Sequence, residues 1–87
     1  MEKFQKRQLL LIEWEDIGVS PTWEHEHIIK PAHEVVLCRS VGWKIASDRR
    51  YITIAASRSS LGNCSDRISI PRGCIKKIEK ILGVKDG

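Results

Sequence analysis

Val35-Val-Leu-Cys-Arg-Ser-Val-Gly-Trp-Lys-Ile45 is the stretch that decides the fold class. It is rich in β-branched residues and alternates with a period of two, the signature of a strand. Val35, Leu37, Val41, Trp43 and Ile45 fall on one face, interrupted only by Arg39, and that bulky face is expected to point inward. Val36, Cys38, Ser40, Gly42 and Lys44 form the opposite, mostly small face. A glycine inside such a run marks a bulge or a barrel corner, so Gly42 is the predicted bend.

The neighbouring segments repeat the pattern. Upstream, Leu10, Ile12 and Trp14 share one side of Leu9–Asp16 while Glu13 and Glu15 share the other, as in a half-buried strand. Gly18 and Pro21 break it, and Trp23 to Glu34 reads as a long polar loop with a short extended piece at 27–30. Downstream, Ser47–Arg50 is a turn and Tyr51–Ala56 alternates again, with Ile52, Ile54 and Ala56 inward, which completes a hairpin. Residues 57–66 read as a loop around Gly62-Asn63. Arg67–Pro71 is a further strand, carrying Ile68 and Ile70 and ended by a proline. The tail from Arg72 to Leu82 fits a one-turn helix followed by a short strand with Ile78 inward, or else a helical stripe.

A sheet of four or five short strands must curl to cover its apolar face. The expected architecture is a small SH3-like, partly open antiparallel β-barrel of about five strands, with a short 3-10 turn or helix near the C-terminus. The alternative is a curved sheet with a C-terminal helix. Residues 1–8 are expected to be frayed, 9–82 to form a single domain and 83–87 a tail. The expected core is Leu10, Ile12, Trp14, Leu37, Val41, Trp43, Ile52, Ile54, Ile68 and Ile70.

Composition narrows the function classes. The chain has 87 residues, enough for one domain and too few for two. No uncharged apolar run exceeds the four residues of Leu9–Ile12, far below the ~20 residues of a membrane helix. The basic start at Lys3, Lys6 and Arg7 precedes too short an apolar run for a secretory signal. A soluble, cytoplasmic protein is the expectation, in the host cytoplasm if the chain is phage-encoded. Net charge is +4, split between an acidic segment through Glu34 and a basic one from Val35 onward. A half this basic raises the odds of an anionic partner, although the two halves also balance one another in the folded chain.

Chemistry-bearing patterns are few. Cys38, Cys64 and Cys74 form no CxxC pair, and fit reduced, mostly buried thiols. His25, His27 and His33 alternate with Glu24 and Glu26 as a solvated loop does, so no metal and no cofactor are expected. No G-x-S-x-G, H-E-x-x-H, P-loop or dinucleotide fingerprint is present. Cys38 and His33 do not form a dyad merely by being near in sequence. A non-enzymatic role is expected.

Ile12-Glu-Trp-Glu-Asp16, Trp23, Ser40-Val-Gly-Trp43, Ile52-Thr-Ile-Ala55 and Ile70-Pro-Arg-Gly-Cys-Ile75 together resemble a group of small, mostly unannotated proteins of phages and prophages. Members of that group look like a V-x-W-x-D strand, a loop often containing Gly-Trp, an S-V-G-W strand and an I-P-(R/K)-x-x-(I/V) ending. Here Thr22 stands where the group's loop has glycine before tryptophan. The resemblance implies a phage-type setting and says little about mechanism.

Three binding readings follow. Trp14 and Trp43 fit the core, whereas Trp23 in its polar loop fits partner contact. A loop tryptophan with nearby arginines can stack on a base and hold its phosphate. Trp23, Arg39, Arg58 and Arg72 are therefore the candidate residues for a nucleotide-like anion, held in pockets between the subunits of a homo-oligomer. In a phage setting this amounts to counter-defence by sequestering an immune signal. The alternatives are a single-stranded nucleic-acid-binding barrel, and a protein–protein inhibitor docking on a host protein through a sheet edge or Trp23.

Overall fold

The computed structural model describes residues 4–16, 23–29 and 36–83. Among these residues five strands are formed: β1 (Leu9–Asp16), β2 (Val36–Ser47), β3 (Tyr51–Arg58), β4 (Cys64–Pro71) and β5 (Ile75–Lys80). They make one antiparallel sheet in the order β4-β3-β2-β1-β5. A 3-10 turn, Arg72–Cys74, carries the chain from one edge strand straight to the other. In a flat sheet those edges would lie about 19 Å apart, at ~4.8 Å per strand. The four residue steps from Pro71 to Ile75 reach at most about 14 Å. The sheet is therefore curled, and because β4 and β5 do not pair with each other it stays open. This is the small SH3-like, partly open barrel that the alternation predicts. The alternative with a C-terminal helix is excluded by β5.

Strands β3 and β4 run further than their composition indicates. They pair as far as Arg58 opposite Cys64, so the connection shrinks to residues 59–63, with Gly62 at φ 89°. The extra length passes through Asp66, which takes φ 55°, a left-handed conformation that aspartate tolerates better than most residues. Within the long loop, Glu26–Ile28 forms a 3-10 turn where an extended piece was expected, with extended backbone at His25 and Ile29. Gly18, Pro21, Lys30, His33 and Val35 lie outside the described residues, as do 1–3 and 84–87.

The core is small. Leu10, Ile12, Ile52, Ile54 and Ile70 are buried together, and Trp14, Ile68 and Ile75 pack against them. The expected core placement of Leu37 and Val41 is corrected, because they are 55% and 53% exposed. Trp43 is half-buried and stands outside the buried cluster. Directly opposed residues of neighbouring strands share a face. Leu10, Ile12 and Trp14 oppose Gly42, Ser40 and Cys38, so the small face of β2 turns inward and the bulky one outward. The cause is space. A Cβ on Gly42 would come within 3.0 Å of both Ile54 Cβ and the Ala55 carbonyl oxygen, so β3 already fills the volume that larger side chains would need. Arg39 sits among the bulky residues because that face meets solvent.

Ala56, also expected inward, is exposed, while its neighbour Ala55 is fully buried. Ile78 is opposed to Ile12 but remains partly exposed on edge strand β5. Two bulges shape the sheet. Register shifts between Lys44 and Ala46 on β2, which leaves Ile45 unmatched, and between Glu13 and Trp14 against β5.

Candidate functional site

The N-terminal residues 4–8, expected to be frayed, run alongside β2 and the far end of β3. The Lys44 N–H donates to the Gln8 carbonyl at 2.8 Å, extending the β1–β2 ladder by one bond. Arg58, the last residue of β3, donates from its guanidinium to the Gln5 carbonyl. Its guanidinium carbon lies 5.6 Å from the centre of the Phe4 ring and 5.5 Å from that of Trp43, within cation–π range of both.

Between this N-terminal segment and the 59–63 turn lies a cleft of about 350 Å³. Arg7 and Arg58 supply its positive charge, Ser59, Ser60 and Asn63 its neutral polar groups, and Phe4, Ile45 and Leu61 its apolar walls. The turn is internally fixed: the Ser59 N–H donates to the Asn63 carbonyl at 2.8 Å, and the Asn63 N–H to Ser59 Oγ at 3.2 Å. Arg7 donates to Gln5 Oε1 at 3.0 Å. Among the described residues, no carboxylate forms an ion pair with Arg7 or Arg58. Two guanidiniums lining one hollow without an internal anion, on a scaffold that holds them, form an arrangement suited to an external anion.

Of the four residues expected to share a ligand site, Arg39, Arg58 and Arg72 do not converge within the chain. Arg39 lies on the outer face of β2 in an ion pair with Glu13 at 2.9 Å. Arg72 sits beyond β4, where its Nε donates to the Asp48 carbonyl at 2.6 Å and its backbone N–H to the Arg50 carbonyl at 2.8 Å. Tyr51 pairs with Pro71 and Arg58 with Cys64, which puts Arg72 and Arg58 at opposite ends of β3, about 23 Å apart along the strand. Trp23 is fully exposed. Of the four, only Arg58 lines this cleft, all of whose lining residues come from one chain.

Arg7, Phe4 and the Ser59-Ser60 pair escaped the sequence reading. Phe4 and Arg7 stand some fifty residues from Ser59 and Ser60 along the chain, and no local pattern joins the two groups. The one available signal was Phe4-x-x-Arg7 immediately before a strand, which places an aromatic and a cation on a segment able to fold back.

The remaining candidates for chemistry are dispersed. Cys38, Cys64 and Cys74 are free and half-buried. The His25 and His27 rings lie 3.9 Å apart, centre to centre. Among the described residues no three histidines, cysteines or carboxylates come together as a metal site would need, and no helix is long and apolar enough to cross a membrane. Comparison of the chain with known protein families, with curated proteins and with solved structures finds no match.

Proposed function

We propose that this protein is a non-enzymatic binding protein whose ligand is a small nucleotide-like anion held in the Arg7–Arg58 cleft. The observation that carries the reading is the pair of guanidiniums that, among the described residues, have no carboxylate partner, set beside hydroxyl and amide groups and an apolar wall. Phosphate oxygens suit the guanidinium donors, of which Arg7 and Arg58 each commit one to Gln5. A flat base suits the Phe4, Ile45 and Leu61 side. The volume, about 350 Å³, lies at the small end of ligand pockets and favours a mononucleotide or a compact cyclic nucleotide over a long polymer. Set beside the resemblance to phage and prophage proteins, such a ligand would be a host signalling nucleotide withdrawn by binding.

Titration calorimetry with a panel of mono-, di- and cyclic nucleotides tests the reading. At least one member should bind, and Arg7→Gln should weaken it at least about tenfold, the value of one lost charge-assisted hydrogen bond. Arg49→Gln, in the turn at the other end of β3, should leave affinity unchanged. No binding by any nucleotide at millimolar concentration, or equal effects of the two substitutions, would overturn the assignment.

A further inference from the structure

On the outer face of β5, β1 and β2, a patch away from Trp43 and Ile45 contributes no residue to the cleft lining. Along β1 it presents Leu11, Glu13 and Glu15, opposed on β2 by Val41, Arg39 and Leu37. On β5, Glu79 stands beside Leu11 and Lys77 beside Glu13. Lys77 and Glu79 pair at 2.6 Å and Lys76 reaches Glu15 at 3.0 Å. Charge on this face therefore balances, with Arg39, Lys76 and Lys77 against Glu13, Glu15 and Glu79. Leu37 and Val41 nevertheless remain more than half exposed. A neutral face does not attract nucleic acid or an anionic membrane, both of which select net positive charge.

We infer that this face docks a second copy of the same chain. Under a two-fold axis the charges of the face complement one another. When the axis runs along the strands between β1 and β2, each β2 lies over the other copy's β1 at the same level. Arg39 then faces Glu13 of the second copy, and Val41 faces Leu11. Every contact occurs twice, as an isologous interface requires. Each Glu13 carboxylate is shared between its own Arg39 and the one opposite. The apolar row Leu11–Val41 closes on its own image.

Native mass spectrometry of the full chain, with and without substitutions, tests this independently of the cleft. The wild-type protein should be a dimer at micromolar concentration. Val41→Asp, a change at an exposed position, should weaken association at least about tenfold while the thermal transition persists. Glu13→Arg and Arg39→Glu combined keep the ion pair within the chain and across the axis, so that variant should also dimerise. Mixed with wild type it should form few mixed dimers, because Arg39 would then face an arginine. A wild-type monomer at all concentrations, a Val41→Asp dimer of unchanged strength, or mixed dimers in statistical proportion would each overturn the inference.

Discussion

The indole Nε1 of Trp14 donates to the hydroxyl of Ser40 at 3.0 Å, joining β1 to β2 across the half-buried rim of the core. This bond gives the inward face of β2 a reason to carry a small polar residue. Tryptophan buries area but leaves one donor that needs a partner. Ser40→Ala removes the partner and should cost about 1–3 kcal/mol, the penalty for an unsatisfied donor. Ser40→Thr, which keeps the hydroxyl, should recover most of it. Urea unfolding followed by tryptophan emission measures both, and equal stability of the alanine variant and wild type would contradict this role.

The inversion of β2 has its own test. Ile54 is fully buried whereas Leu37 is more than half exposed. Ile54→Ala should cost about 2–5 kcal/mol, enough to unfold much of so small a domain. Leu37→Ser should stay within about 0.5 kcal/mol, as other surface changes do. The measurement belongs at submicromolar concentration, where association contributes little. A large loss at Leu37 would put the bulky face back inside.

Gly42 is set by proximity rather than by backbone angle. A Cβ there meets Ile54 Cβ and the Ala55 carbonyl oxygen at 3.0 Å, and the backbone cannot rotate away as a side chain could. Gly42→Val should therefore destabilise by about 1–3 kcal/mol through overpacking, with Gly42→Ala in between. Thermal denaturation reads the order, and a valine variant as stable as wild type would show that β3 yields.

Asp48 gives a dependence on pH. Its carboxylate accepts the Tyr51 and Arg50 N–H groups at 2.8 and 2.7 Å, and these bonds, with help from the nearby Arg72 charge, hold it below its ordinary value of 3.8. A carboxyl depressed on folding stabilises fully above its unfolded value, and that contribution is lost as pH falls through the folded one. Asp48→Ala should lower the melting temperature at neutral pH, and the gap should close as acid protonates the wild-type carboxylate. A gap that persists unchanged into strong acid would assign the effect to something other than this charge.

Much of the fold was legible because alternation is a local signal. Leu9–Asp16 was readable to its ends, and Pro71-Arg-Gly-Cys marked the turn before β5. Which side of β2 faces inward was not legible, because alternation states that two faces differ and leaves open which one the barrel has room for. Arg39, Ser40 and Gly42 held the answer: a charge belongs outside, and small residues belong where another strand comes close. The binding cleft was less legible still. Arg7 and Arg58 meet only because the chain ahead of β1 lies along β2, a relationship that depends on the Gln8–Lys44 and Gln5–Arg58 bonds.

The Ile81 N–H donates to the Leu9 carbonyl at 2.9 Å, which places the start of β1 beside the end of β5. Tension applied between these two residues would peel an antiparallel ladder from its end, breaking hydrogen bonds singly instead of shearing them together. The barrel is thus mechanically weak along the axis through residues 9 and 81, whatever its resistance to heat or urea.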